Sequence, residues 1–344
     1  MLSTARRRIR SAVTGVVVLS AVTVSAAGAA ARQTPAAAPG DRVARLGASG
    51  GLGVVARLGQ GAGPSSPFPG FVLERGRYTG FDPPPAATGF LAAGINDSGQ
   101  ISGEYFGPSS ESGFLRDRRG AITKIDIPGA TATEVVKIND RGVVAGAYSR
   151  TVSFLSDPDG MAHGFLLDRG KVTTIDVPGA AQTEASSVND RGQVVGIYVS
   201  GAGDQHGFRW DKGRFTTLDV PGAAFTEPID INDRGQVVGI YGRPGAAAIH
   251  GFLWDRGRYT TVDIPGASIT ILFGINDHGQ IVASTLTDAP TLAGARGFLF
   301  GRGALGPVTP IRFPGAPRTL ATGINDRGQI VGAYENPDAS GSES

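Results

Sequence analysis

Cysteine is absent from the 344 residues, which excludes disulfides, thiolate metal sites, a cysteine nucleophile and lipid attachment through an N-terminal cysteine. Stability must come from packing and closure. Charge of one sign is also scarce: 32 basic residues face 30 acidic ones, for a net charge of +2. Four of the arginines, Arg6, Arg7, Arg8 and Arg10, sit in the first ten positions, and without them the balance turns slightly acidic. No basic stripe is left to bind nucleic acid. No Gly-x-Ser-x-Gly elbow, phosphate loop, dinucleotide fingerprint or His-Glu-x-x-His helix occurs, so the familiar motif-borne chemistries have no foothold. With 53 glycines and 22 prolines, the chain has too many breakers for long helices and suits many turns.

The N-terminus reads as a secretory leader over residues 1–31. Arginines come first, Ser11 to Val24 is apolar and uncharged, and Ala27-Gly28-Ala29 or Ala29-Ala30-Ala31 offers a small-residue cleavage site. Left uncleaved, the same run would just span a bilayer and hold the protein at the cell surface. Either way the body is expected outside the cytoplasm, with no membrane contact beyond the leader. Residues 32–69, rich in Ala, Gly and Pro, read as a linker, and residues 336–344 as a disordered tail.

Between them, residues 70–335 are repetitive. An Asn-Asp pair followed by glycine recurs at Asn96, Asn139, Asn189, Asn232, Asn276 and Asn325, at intervals of 43, 50, 43, 44 and 49 residues. The best copies divide into four strand-length segments: TEPIDIND, QVVGIY, HGFLWD and RYTTVDIPGA. Asn-Asp-Arg-Gly joins the first two as a tight hairpin with a glycine bulge, and Asp-Arg-Gly joins the last two as a second hairpin. The remaining connections are a constant Pro-Gly-Ala turn and a segment of variable length. Four antiparallel strands per unit predict an all-β fold, a six-bladed β-propeller of four-stranded blades.

The ends predict how it closes. Gly70 to Asp82 supplies third and fourth strands, Gly323 to Tyr334 supplies first and second strands, and together they complete one blade without an open edge. The complete blades then run Thr88 to Ala130, Thr131 to Ala180, Ala181 to Ala223, Ala224 to Ala267 and Ser268 to Ala316. Phe71, Phe114, Phe165, Phe208, Phe252 and Phe298 share one repeat position and are assigned to the core between blades.

The units resemble the HAF family of extracellular repeats, which joins a His-Ala-Phe strand to an Asn-Asp-x-Gly-Gln-Val-Val-Gly segment. His163-Gly164-Phe165, His206-Gly207-Phe208 and His250-Gly251-Phe252 carry the first part with Gly for Ala; Asn189 to Gly196 and Asn232 to Gly239 carry the second. Ile281 to Thr285, reading IVAST, departs from it. The resemblance implies a secreted or surface repeat protein and brings no reaction with it.

In such a blade both hairpins fall on one face of the ring, and the Pro-Gly-Ala turns and variable loops fall on the other, where binding is expected. Glu134, Glu184 and Glu227 lie five residues before their Asn, while Leu91, Ile271 and Leu320 hold that place in the other copies. If the first strand is innermost, three carboxylates converge at the channel mouth, able to bind a cation or a sugar or to act as an acid/base pair. The simpler reading, which is preferred, has each bonding its own Pro-Gly-Ala turn. His163, His206 and His250 start the third strands and are candidate ligand contacts, spread too widely for one metal. The turn aspartates lack the dense spacing of a calcium loop, and Arg141, Arg191, Arg234 and Arg327 beside them are expected to form ion pairs across the solvated face. No metal and no cofactor is expected. The reading is a monomeric, non-catalytic binding module for an extracellular glycan or protein. The alternative is a carbohydrate-active hydrolase or lyase using Glu134, Glu184 and Glu227 catalytically.

Overall fold

The structure, a computed structural model, describes residues 68–85, 87–107, 111–150, 162–287, 293–302 and 306–336. The leader, nearly all of the linker and the tail beyond residue 336 lie outside the described residues. Among the described residues there are twenty-four strands and no helix.

Strands β1 (Gly70–Glu74) and β2 (Arg77–Phe81) pair with the last two, β23 (Thr319–Ile324) and β24 (Ile330–Tyr334), in the order β2-β1-β24-β23. The rest form antiparallel meanders of four. These are β3 (Gly89–Ile95), β4 (Ile101–Phe106), β5 (Glu111–Arg116), β6 (Ile122–Ile125); then β7 (Ala132–Ile138), β8 (Val144–Ser149), β9 (His163–Asp168), β10 (Lys171–Ile175). Next come β11 (Gln182–Val188), β12 (Val194–Val199), β13 (Gln205–Asp211), β14 (Arg214–Thr217); and β15 (Phe225–Ile231), β16 (Val237–Gly242), β17 (Ile249–Asp255), β18 (Arg258–Thr261). Finally β19 (Ile269–Ile275), β20 (Gln280–Leu286), β21 (Arg296–Arg302) and β22 (Val308–Ile311) pair in sequence. These sheets are the four-stranded antiparallel blades of a β-propeller.

The first strand of each meander is innermost. β3, β7, β11, β15, β19 and β23 stand side by side in that order, with β23 next to β3. All but one of their residues are buried, the exception being the half-buried Ser186, whereas fourth strands such as β14 and β18 are largely exposed. A strand covered on both faces has no solvent side to alternate with, which is why FLAAGI and ITILFGI show no polar alternation, while β7, β11 and β15 bury polar side chains as well.

The glycine of the second strand has a steric cause. Gly103, Gly146, Gly196, Gly239 and Gly332 stand opposite Phe114, Phe165, Phe208, Phe252 and Phe71. A Cβ on any of them would run into a first-strand carbonyl and into the edge of that phenylalanine ring. All five rings have no solvent exposure. Phe298 breaks the expectation. It stands opposite Ala283, whose Cβ takes the space the ring would need, and Phe298 is only partly buried while Phe300 goes into the core instead.

The hairpins follow their residues. Arg75, Arg169, Lys212 and Arg256 have φ of 47° to 50°, each followed by a glycine of positive φ, as a two-residue primed turn requires. In the first hairpin, Gly235 N–H reaches the Asn232 carbonyl at 3.0 Å and Asn232 N–H reaches Gln236 O at 3.1 Å, closing the loop with a glycine at φ 77°.

Candidate functional site at the two mouths of the propeller axis

At the hairpin end, the turn asparagines do more than shape turns. Asn232 Oδ1 accepts from Arg234 N and Gln236 N, and its Nδ2 donates to Gln236 Oε1 and to the carbonyl of Asn276 in the next sheet, at 3.0 Å. The same Nδ2-to-carbonyl bond runs from Asn96 to Asn139, Asn139 to Asn189, Asn189 to Asn232, Asn276 to Asn325, and Asn325 back to Asn96. A parallel circuit joins each Asp N–H to the next carboxylate, from Asp97 through Asp140, Asp190, Asp233, Asp277 and Asp326 and back to Asp97. The aspartates thus tie neighbouring sheets together, a duty their turn position alone does not reveal.

This crowding has an electrostatic effect. Burial, with neighbouring aspartates adding to it, raises the Asp140 carboxyl to about 6 and moves Asp190 and Asp326 upward as well. Oxygens of Asp97, Asp140 and Asp326 lie within 4.8 Å of one another, close enough to share a cation, although one oxygen of each already accepts an N–H. The expected arginine ion pairs do not form here. Arg141 Nη1 donates to the Asp190 carbonyl at 3.1 Å, and among the described residues no salt bridge involves Arg191, Arg234 or Arg327. Their turns are already held by backbone donors.

The bowl inside this mouth measures about 90 Å³, and Lys137 and Asp230 line it. Each first strand carries a bulge there, which skips one residue of the ladder and turns its carbonyl away from the neighbouring strand. Lys137 is 5 % exposed, and its Nζ donates to three such carbonyls: Ala93 at 2.8 Å, Phe273 at 2.8 Å and Thr322 at 2.7 Å. Desolvation lowers its pKa, while the Asp230 carboxylate pulls it back up. Asp230 itself accepts from Ser187 Oγ, Ile231 N and Ile275 N at 2.6, 3.0 and 2.9 Å. One lysine thus crosses the axis, given room by Gly94, Gly274 and Gly323 at its own repeat position. Sequence reasoning missed both residues. The available signal was that this position reads Gly, Lys, Ser, Asp, Gly, Gly through the copies.

At the loop end, Glu134, Glu184 and Glu227 are 4, 7 and 3 % exposed. The Pro-Gly-Ala turns are also bonded by the residue before each glutamate: Thr133, Thr183 and Thr226 Oγ1 accept from Ile127, Val177 and Val220 N–H at 3.0 Å. Two glutamates that do not repeat, Glu104 on β4 and Glu111 on β5, join them at 1 and 6 % exposure. Burial lifts Glu104 and Glu134 well above the carboxylate range, with mutual repulsion adding to it, and burial lifts Glu111 to about 8.

The histidines stay apart, one to a sheet. His163, His206 and His250 Nδ1 meet Asp176, Asp219 and Asp263 carboxylates at 2.8, 2.7 and 2.8 Å. Each ring lies beside a tyrosine, Tyr148, Tyr198 or Tyr241, at centroid distances of 5.2, 5.1 and 5.2 Å. The tyrosine hydroxyls reach Thr174, Thr217 and Thr261. The result is a Tyr-His-Asp triplet on the loop-side rim of three consecutive blades, with the imidazoles 27 to 32 % exposed.

No family model and no curated protein matches the sequence. Solved structures do. A protein assigned as TolB from Agrobacterium tumefaciens superposes with a TM-score of 0.56 at 13 % identity, over 78 % of this chain and 98 % of that one. TolB from Acinetobacter baumannii gives 0.48 at 14 % identity, over 80 % and 65 % of the two chains. The β-propeller domain of the Trilobed protease from Pyrococcus furiosus gives 0.43 at 11 % identity, over 72 % and 87 %. At these identities the likeness is one of fold, the β-propeller.

Proposed function

We propose that the chain is a secreted, HAF-like propeller of six blades, one shared by its two ends, that binds a hydroxyl-rich extracellular ligand through the loop-side rim without catalysis. The blade count is supported by the asparagine circuit, which returns to Asn96 after six steps. The binding reading rests on one observation, the threefold recurrence of the Tyr-His-Asp triplet on consecutive blades. An aromatic edge beside an oriented imidazole and a carboxylate offers stacking and both kinds of hydrogen-bonding group, the usual chemistry of sugar recognition. Repetition gives avidity for a polymer from weak single sites. The rival hydrolase or lyase reading draws on the glutamates. Glu134, Glu184 and Glu227 are at most 7 % exposed, so a polymer reaches them less readily than it reaches the rim.

Retention of the purified chain on immobilised polysaccharides of several backbones tests this reading. His206→Ala together with Tyr198→Ala should weaken retention modestly, and the same pair of changes in all three sheets should weaken it by about tenfold or more. Unchanged retention in the triple-site variant would remove the rim from consideration. Turnover of any retained polysaccharide would revive the enzyme.

A further inference from the structure

Three consecutive sheets carry the Tyr-His-Asp triplet on the loop-side rim, and the next one reverses its charge. Thr285 faces Arg296 as Tyr241 faces His250, and Gly297 faces Ile311 as Gly164 faces Ile175. Arg296 therefore stands in the place of the histidine, and Arg312, which follows Ile311, in the place of the aspartate. Where the other sheets set an imidazole against a carboxylate at 2.7 to 2.8 Å, this one sets two permanent cations at the same pair of positions. Like charges opposite one another on neighbouring strands are destabilising. Among the described residues no carboxylate pairs with either guanidinium, whereas Arg318 is held by Glu335 at 3.0 Å. Arg312 bonds through its backbone instead, its N–H donating to Tyr78 Oη at 3.0 Å. A cavity of about 170 Å³ opens at this point, and both arginines line it.

We infer that this cavity is a binding site for the carboxylate of an acidic sugar, held by Arg296 and Arg312 together. A guanidinium presents its donors as a planar fork that matches the two oxygens of a carboxylate, and an anion between the two arginines removes their mutual repulsion. The other side chains around the cavity are apolar apart from Thr319: Ala295, Ile311, Ala316 and Pro317. Ala295 and Ile311 are each 2 % exposed, so they form a fixed floor on which carbon atoms can rest. That lining suits an organic acid better than a bare hydrated anion. The volume is below the roughly 300–1,000 Å³ of sites for drug-sized ligands, which limits the occupant to one acidic group with part of the unit that carries it. The sheet of β19 to β22 adjoins the one that bears His250, through the pairing of β17 with β19. A polymer lying along the triplets can therefore reach the arginines with its next units. The choice of a sugar as carrier rests on the rim reading, whereas the arginine pair and the cavity stand without it.

The test uses the full chain and a matched pair of polymers, polygalacturonate and the same backbone with its carboxyls reduced to alcohols. The acidic form should be retained about tenfold more tightly at low salt, with the advantage shrinking as salt screens the exposed arginines. Arg296→Gln together with Arg312→Gln should remove the advantage and leave retention of the reduced polymer unchanged. Arg234→Gln together with Arg327→Gln, the same loss of charge at the hairpin end, should keep it. Galacturonic acid alone should raise Tm saturably by about 3 °C in the wild type and not in the Arg296/Arg312 variant, whereas galactose and sodium sulfate at matched ionic strength should not raise it. Without ligand that variant should melt with the wild type or slightly above it, which shows that it folds. Equal retention of the two polymers overturns the inference, as does an advantage that survives loss of Arg296 and Arg312 or vanishes with Arg234 and Arg327. A sulfate shift as large as that of galacturonic acid also overturns it. If neither polymer is retained, the rim reading fails by itself, and the galacturonic acid shift decides: its loss in the Arg296/Arg312 variant upholds the arginine site, and its absence from the wild type overturns it.

Discussion

The side chain at one repeat position decides how close two strands approach. Gly239 leaves a gap filled by the Phe252 ring edge on one side and the Glu227 carbonyl on the other, and neither can yield cheaply, one being backbone and the other a ring with no exposure. Gly239→Ala should therefore cost about 1–3 kcal/mol by overpacking, read by denaturant titration. The chain already contains the tolerated outcome, since Ala283 occupies the equivalent place and Phe298 has left the core. A neutral Gly239→Ala would mean that the ring slides aside freely and that the glycine is there for another reason. The phenylalanine assignment was legible in the sequence because it recurs in every unit. Its single failure sat beside the one unit that reads IVAST, so the departure was visible even though its consequence was not.

The hairpin between first and second strands was also legible, because Asn, Asp and Gly announce their turn wherever they stand. Its outward bonds were not. Turn chemistry is local, whereas the strap from Asn232 to Asn276 spans 44 residues and depends on two sheets lying side by side. The two roles can be separated by Asn232→Asp, since aspartate supports the same turn and keeps the Oδ1 acceptor. It loses the donor to the Asn276 carbonyl and sets a second oxygen against it. If the strap matters, the change should cost about 1–3 kcal/mol, the penalty of an unsatisfied buried acceptor. Were the asparagine present for the turn alone, the variant would melt with the wild type. Glu104 and Glu111 escaped notice for a related reason: they occur once each, and a reading built on repetition weights what repeats.

At the scale of the molecule, residues that belong to no repeat tie distant parts together. Lys137 bonds carbonyls 44, 136 and 185 positions away, so its meaning exists only after the strands have gathered around the axis. Residues 319–336 carry the most of this long-range order. They supply β23 and β24, the Thr322 carbonyl beneath Lys137, and the Asn325 and Asp326 links that join the last copy to the first. A chain ending before Thr319 takes the β24 partner from β1 along Gly70–Leu73 and leaves that edge open, exposes the flank of β3, and strands one donor of a buried ammonium. In an open stack these losses would be confined to the end and the remaining sheets would melt almost unchanged, as in linear repeat arrays. With the hydrogen-bond circuits broken at one link, the damage reaches both ends at once. The truncated chain should lose its single cooperative transition in calorimetry and become sensitive to limited proteolysis throughout. A truncated protein that melts cooperatively within a few degrees of the intact one would show that the circuits are ornament and that each sheet is held mainly by its neighbours.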